Sequence, residues 1–175
     1  MNEIYPGKLQ RQPRNNSDIV IGAYYYGVHC PACAKTGPLI EEINENMIGA
    51  RIEEVVTDDM WKNNKMKHKS LTSKFAPNVR GSFKHGAIEA TPTIIWSDGL
   101  KTEGVPFGDD GDINESESSF YLCIRAAKCF MKETQPGMSI EEIEQTIEQV
   151  FEGRVIQTPH GLDPYKGLRE ITREI

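Results

Sequence analysis

The chain has 175 residues, with 20 lysines and arginines against 26 aspartates and glutamates and a formal charge of −6. That is the length of one domain with a modest extension, and the acidic balance excludes a nucleic-acid groove, which needs a concentrated basic face. No apolar run approaches a membrane span, and the polar segment Met1 to Asp18 lacks the apolar centre of a signal peptide, so the expected compartment is the cytoplasm and neither nucleic acid nor a membrane is an expected partner.

Met1 to Asp18 reads as an N-terminal arm. Ile19 to Tyr26 (IVIGAYYY) is apolar throughout, as suits a strand covered on both faces. After the turn Gly27-Val28-His29, a helix is expected from about Pro31 to Met47, with Pro31 in its first turn, where a missing N–H costs nothing. Leu39, Ile40, Ile43 and Met47 share one face of it, and Pro38 falls inside the pattern and should kink it. Arg51 to Thr57 is the next strand, giving a β-α-β order. Residues 58 to 85 read as a polar, mostly helical insert with a break at Ala76-Pro77-Asn78. Its lysine-rich stretch, Lys62 to Lys69, is a solvated helix face or a contact for an acidic partner.

Thr93 to Trp96 is a short strand, Ser97-Asp98-Gly99 a hairpin turn, and Leu100 to Val105 its antiparallel partner. A Gly/Asp loop, Gly108 to Asp112, leads to a helix from Asn114 to Glu133 with the buried stripe Phe120, Ile124, Ala127 and Met131. Gln135-Pro136-Gly137 ends it, and Ser139 with Glu142 forms a capping box for a last helix to about Glu152. The apolar stripe of that helix is Ile140, Ile143, Ile147, Val150 and Phe151. The Gly- and Pro-containing tail from Gly153 is expected to be loosely held, within a C-terminal unit of 135–175.

Cys30-Pro31-Ala32-Cys33 carries the chemistry. Cys30 lies where a strand ends and a helix begins, and unpaired amides there favour a thiolate, the nucleophilic form of the residue. Cys33, one turn on, can close a small disulfide ring. That permits a two-step cycle in which Cys30 attacks a substrate disulfide and Cys33 resolves the mixed disulfide. No cofactor is needed beyond that redox-active pair. Half of a zinc site has the same spacing, with His29, Cys123 and Cys129 as the attractive further ligands, and the pair could also be inert. Cys123 and Cys129 are six apart on one expected helix, on different faces and about 9 Å apart in rise, so they cannot bond to each other. Cys123 reads as a small core residue and Cys129 as facing the other way, against the last helix, with a secondary redox site as the alternative for either.

With Pro38 five residues after Cys33, and Thr91-Pro92-Thr93 leading into a hairpin, the chain resembles the thioredoxin-like superfamily over about Ile19 to Lys132. Cys-Pro-x-Cys is similar to glutaredoxins and bacterial thiol oxidases. A threonine before the second-motif proline is similar to bacterial periplasmic disulfide isomerases and glutaredoxin-like groups. The stretch between the motifs is longer than in thioredoxin, in keeping with an enlarged helical insert. The resemblance implies a central mixed sheet of about four strands with helices on both faces, in a domain at 19–134 followed by a C-terminal helical extension. It implies thiol–disulfide oxidoreductase activity and a cis Pro92 beside the cysteines. Thr91, Pro92, Pro31, Ala32 and His29 would form the substrate-binding rim. The implied partners are a disulfide-containing protein or small-thiol substrate and a thiol reductant or reductase, with the reductase direction favoured in the cytoplasm.

Two positions depart from the pattern. Tyr24 stands where thioredoxin has a buried acid, and His29 where it has a tryptophan. His29 reads either as a cationic neighbour that lowers the pKa of Cys30 or as an exposed rim residue. The missing acid motivates a second hypothesis, a redox-silent interaction module that docks through its C-terminal helix. A zinc-binding protein is the third.

Overall fold

The computed structural model of the chain describes residues 18–56, 91–103, 115–154, 157–158 and 161–173. The arm at 1–17, the insert at 58–85, the segment 86–90 and the loop at 108–112 lie outside the described residues. The elements in chain order are β1 (Ile19–Tyr26), α1 (Pro31–Asn46), β2 (Ala50–Val56), β3 (Thr93–Trp96), β4 (Lys101–Glu103), α2 (Glu115–Thr134), α3 (Ile140–Arg154), β5 (Gln157–Thr158), β6 (Gly161–Leu162) and α4 (Pro164–Arg173).

The fold is α/β. A four-stranded mixed sheet has the order β2-β1-β3-β4, with β1 parallel to β2 and antiparallel to β3, and β3 antiparallel to β4. The parallel pair requires a crossover, which α1 supplies. Pairing sets the two faces of the sheet. Tyr24 lies opposite Ile94, and Gly22 lies between Trp96 and Ile52, so these residues share one face with Tyr26. A register shift between Val20 and Gly22 brings Ile21 into the same buried cluster despite its odd position. Ile40 and Ile43 of α1, Leu122, Ala126 and Phe130 of α2, and Leu168 and Ile171 of α4 fill this side.

The sequence expectation was helices on both faces. Among the described residues, α1, α2 and α4 touch one another on the Tyr24 side. Ala23, Tyr25, Val55 and Ile95 point the other way and are also buried.

The hairpin forms as its residues dictate. Gly99 takes a φ of 91°, a region where a side chain is strained, and its N–H donates to the Trp96 carbonyl at 3.0 Å. The serine half of the expected capping box forms: Ser139 Oγ accepts from the Glu142 N–H at 3.1 Å.

Three expectations need correction. Ile140 is not part of the α3 stripe: it is 62% exposed, while Ile143, Ile147 and Phe151 are buried. The stripe assigned to α2 is too narrow. Phe120 and Ile124 are half-buried along α3, and Leu122, Cys123, Ala126, Cys129 and Phe130 are buried on the rest of the helix.

The tail is not loosely held. It makes the β5–β6 hairpin and then α4, whose Leu168 and Ile171 are buried against α1, α2 and α3. Asp163 caps α4 by accepting from the Tyr165 N–H at 3.1 Å, with Pro164 as the first helical residue. Gly167 allows the close approach, since a Cβ there would meet the Phe151 ring at 3.0 Å. Arg169 donates to the Asn46 side chain, fastening α4 to the end of α1. Among the described residues no helix is long and apolar enough to cross a membrane.

Candidate functional site

Antiparallel pairing brings the site together. Tyr25 near the end of β1 lies opposite Thr93 at the start of β3. The turn into α1 and the residues just before β3 therefore meet at one end of the sheet, although 61 residues separate Cys30 from Thr91. The Sγ of Cys30 is 3.5 Å from the Thr91 carbonyl oxygen. The Thr91–Pro92 peptide is cis and Pro92 is buried.

Cys30 is the N-cap of α1, with φ −96° and ψ 113°. Its sulfur accepts from the Cys33 N–H at 3.2 Å. This is the acceptor position that serine or aspartate usually fills, and it satisfies one of the orphan donors of the helix start. An N–H aimed at sulfur, together with the positive end of the helix, stabilises negative charge there. The Sγ atoms of Cys30 and Cys33 lie at disulfide distance, with their Cα atoms 5.1 Å apart. Cys30 is half-buried and Cys33 is fully buried, so Cys30 is the more accessible of the two from solvent.

The other residues expected around the pair differ in exposure. His29 and Pro31 are exposed, Ala32 and Thr91 half-buried. Thr36, buried one turn further on, donates to the Ala32 carbonyl at 3.0 Å and braces the first turn. The helix runs on through Pro38, which faces solvent.

Cys123 and Cys129 are both fully buried, away from the pair. Cys123 is the core residue expected, whereas Cys129 does not face α3. Near Asp163 at the start of α4, burial together with Asp163 and Glu42 pushes the Cys123 thiol well above the ordinary value. Cys129 faces the β3–β4 turn, and burial together with Asp98 pushes it to about 11. Against an ordinary 9.0, that leaves about a hundredfold less thiolate at neutral pH. In the reduced protein, iodoacetamide should therefore label Cys30 first and Cys33 more slowly, and reach Cys123 and Cys129 only with global unfolding. Mass spectrometry of timed quenches reads the order, and prompt labelling of Cys129 would contradict it.

Sequence reasoning missed two groups. Tyr24, read there as core, sends its hydroxyl to the Cys33 carbonyl at 3.3 Å. At the other end of β3, Asp98 accepts two bonds from Arg125, at 2.9 and 2.8 Å, with Lys132 at 3.4 Å. Arg125 in turn lies over the Trp96 ring, 5.4 Å from its centre. The first was signalled only by the position of Tyr24 relative to Cys30. The second had no local signal.

Comparison with family models, with curated proteins and with solved structures finds no match. Among the described residues no group of three or more histidine, cysteine, aspartate or glutamate side chains is gathered to hold a metal ion.

Proposed function

We propose that this protein is a thiol–disulfide oxidoreductase of thioredoxin-like fold, with Cys30 as the attacking thiol and Cys33 as the resolving thiol. The observation that carries the reading is the asymmetry of the pair. Cys30 is reachable and caps a helix with its sulfur, while Cys33 is buried at bonding distance behind it. The β-α-β unit, the following hairpin and the cis Thr91–Pro92 bond beside Cys30 support the fold reading.

In the reductase direction the Cys30 thiolate attacks one sulfur of a substrate disulfide. A mixed disulfide forms and one substrate thiolate leaves and takes a proton. Cys33 then gives up its proton and attacks the Cys30 sulfur, which releases the second substrate thiol and closes the Cys30–Cys33 bond. An external thiol reductant reopens that bond by supplying two electrons. Thr91, Pro92, Pro31, Ala32 and His29 are the proposed rim for a disulfide-containing protein or small thiol. The Thr91 side of the site suits a segment in extended conformation.

Reduction of insulin by dithiothreitol tests the reading. Catalytic amounts of the protein should advance the onset of turbidity, and Cys33→Ala should accumulate mixed disulfides through Cys30, visible by mass as protein–insulin adducts. Onset no earlier than with dithiothreitol alone overturns the proposal.

A further inference from the structure

Cys33 is held at both ends of its backbone. Its N–H points to the Cys30 sulfur at 3.2 Å, and its carbonyl oxygen accepts the Tyr24 hydroxyl at 3.3 Å. Tyr24 is fully buried in the sheet, and its ring is stacked on Tyr26 with centroids 5.4 Å apart. Its hydroxyl therefore approaches from a rigid strand, β1, and fastens the first turn of α1 to it. The bond from Tyr24 to the Cys33 backbone is present in the arrangement in which the two cysteines are paired.

Closing the ring removes conformational freedom from Cys33 that the dithiol retains. A hydrogen bond made better in the closed geometry than in the dithiol adds to the stability of the closed form alone. We infer that Tyr24 is a positioning residue that favours the Cys30–Cys33 disulfide over the dithiol by fixing the Cys33 backbone. This rests on the oxidoreductase reading for its purpose, though not for its test. Tyr24 acts through the Cys33 peptide and takes no proton from the reaction.

The test is the equilibrium of the protein with glutathione. Protein dithiol and glutathione disulfide give protein disulfide and two glutathione thiols, with two electrons and two protons passing to glutathione. Acid quenching and alkylation give the ratio of forms. Tyr24→Phe keeps the ring and its stacking and removes only the hydroxyl. The equilibrium constant should fall threefold to tenfold, the size of one hydrogen bond, which makes the potential about 14–30 mV less negative at 29.6 mV per tenfold. Urea unfolding of the disulfide and dithiol forms should show the disulfide form losing more, by the same factor. Incorporating 3,5-difluorotyrosine at position 24 keeps the shape and strengthens the donor, so the constant should rise.

An unchanged constant in both variants, with both redox forms destabilised equally, is the signature of a purely structural tyrosine and overturns the inference. The two proposals fail separately. Absence of insulin reduction overturns the function while the glutathione constant still reports on Tyr24, and an unchanged constant in an active enzyme overturns only the role of Tyr24.

Discussion

Cys30→Ser should reduce insulin no faster than dithiothreitol alone, yet fold almost as well as the reduced parent. The two effects separate because the proposal adds a nucleophilic role to the capping role of the Cys30 sulfur. As nucleophile it must be a thiolate, and a serine hydroxyl does not attack disulfides under these conditions. As N-cap it needs only a side-chain acceptor facing the Cys33 N–H, and serine is among the best of these. Unfolding free energies of the reduced proteins in urea should then differ by about 0.5 kcal/mol or less for serine, while Cys30→Ala should cost about 1 kcal/mol for the lost cap. Both variants should be equally inactive. Retained activity in Cys30→Ser would move the attacking role to another thiol and undo the assignment.

The largest stability loss from a single polar substitution is expected away from the Cys30–Cys33 pair, at Asp98. Its side chain is 4% exposed and that of Arg125 10%, so removing the carboxylate strands a guanidinium in the interior. Breaking a buried pair in this way costs about 3–5 kcal/mol, and Asp98→Ala should fall in that range. Asp98→Ala with Arg125→Met should recover part of it, because the stranded charge goes too. Additive losses in the double variant would show that the two side chains act independently.

Acid provides a second reading of the same contact. Burial pushes the Asp98 carboxyl up, but the bonds and charge of Arg125, the Leu100 N–H and the charge of Lys132 outweigh it and hold the carboxyl below its ordinary 3.8. A carboxyl more acidic in the folded chain contributes stability that is complete above the unfolded value. That stability is lost as pH falls through the lower folded value. The parent should therefore lose stability more steeply than Asp98→Ala between about pH 4 and pH 2, measured by urea unfolding across that range. Parallel curves would remove Asp98 as a source of acid sensitivity.

Much of the fold was legible because local rules and the tertiary structure agree. β1 runs over Ile19–Tyr26 and β3 over Thr93–Trp96 as their apolar runs require. Pro31 opens α1, Asp98-Gly99 turns the hairpin, and Ser139 caps α3. At the site, the strand-to-helix position of Cys30 was readable from chain order alone. α4 was misread although its start signal, Asp163-Pro164, and its buried spacing, Leu168 to Ile171, are written in the chain. Ahead of that helix Gln157–Thr158 pairs with Gly161–Leu162, and composition does not distinguish a tight connection from a loose tail.

The sequence by itself determined the elements, their caps and turns, and the place of Cys30 at a helix start, since each depends on neighbours within a few residues. Tertiary structure alone decided which residues meet. Thr91 reaches the Cys30 sulfur because β1 and β3 run antiparallel in one register. The Tyr24 hydroxyl finds Cys33 because α1 folds back over β1 on its way to β2. Asp98 finds Arg125 because the hairpin and α2 share an edge of the core. Contacts of this kind depend on register and helix rotation, which the packing of the whole core fixes at once and no local pattern encodes.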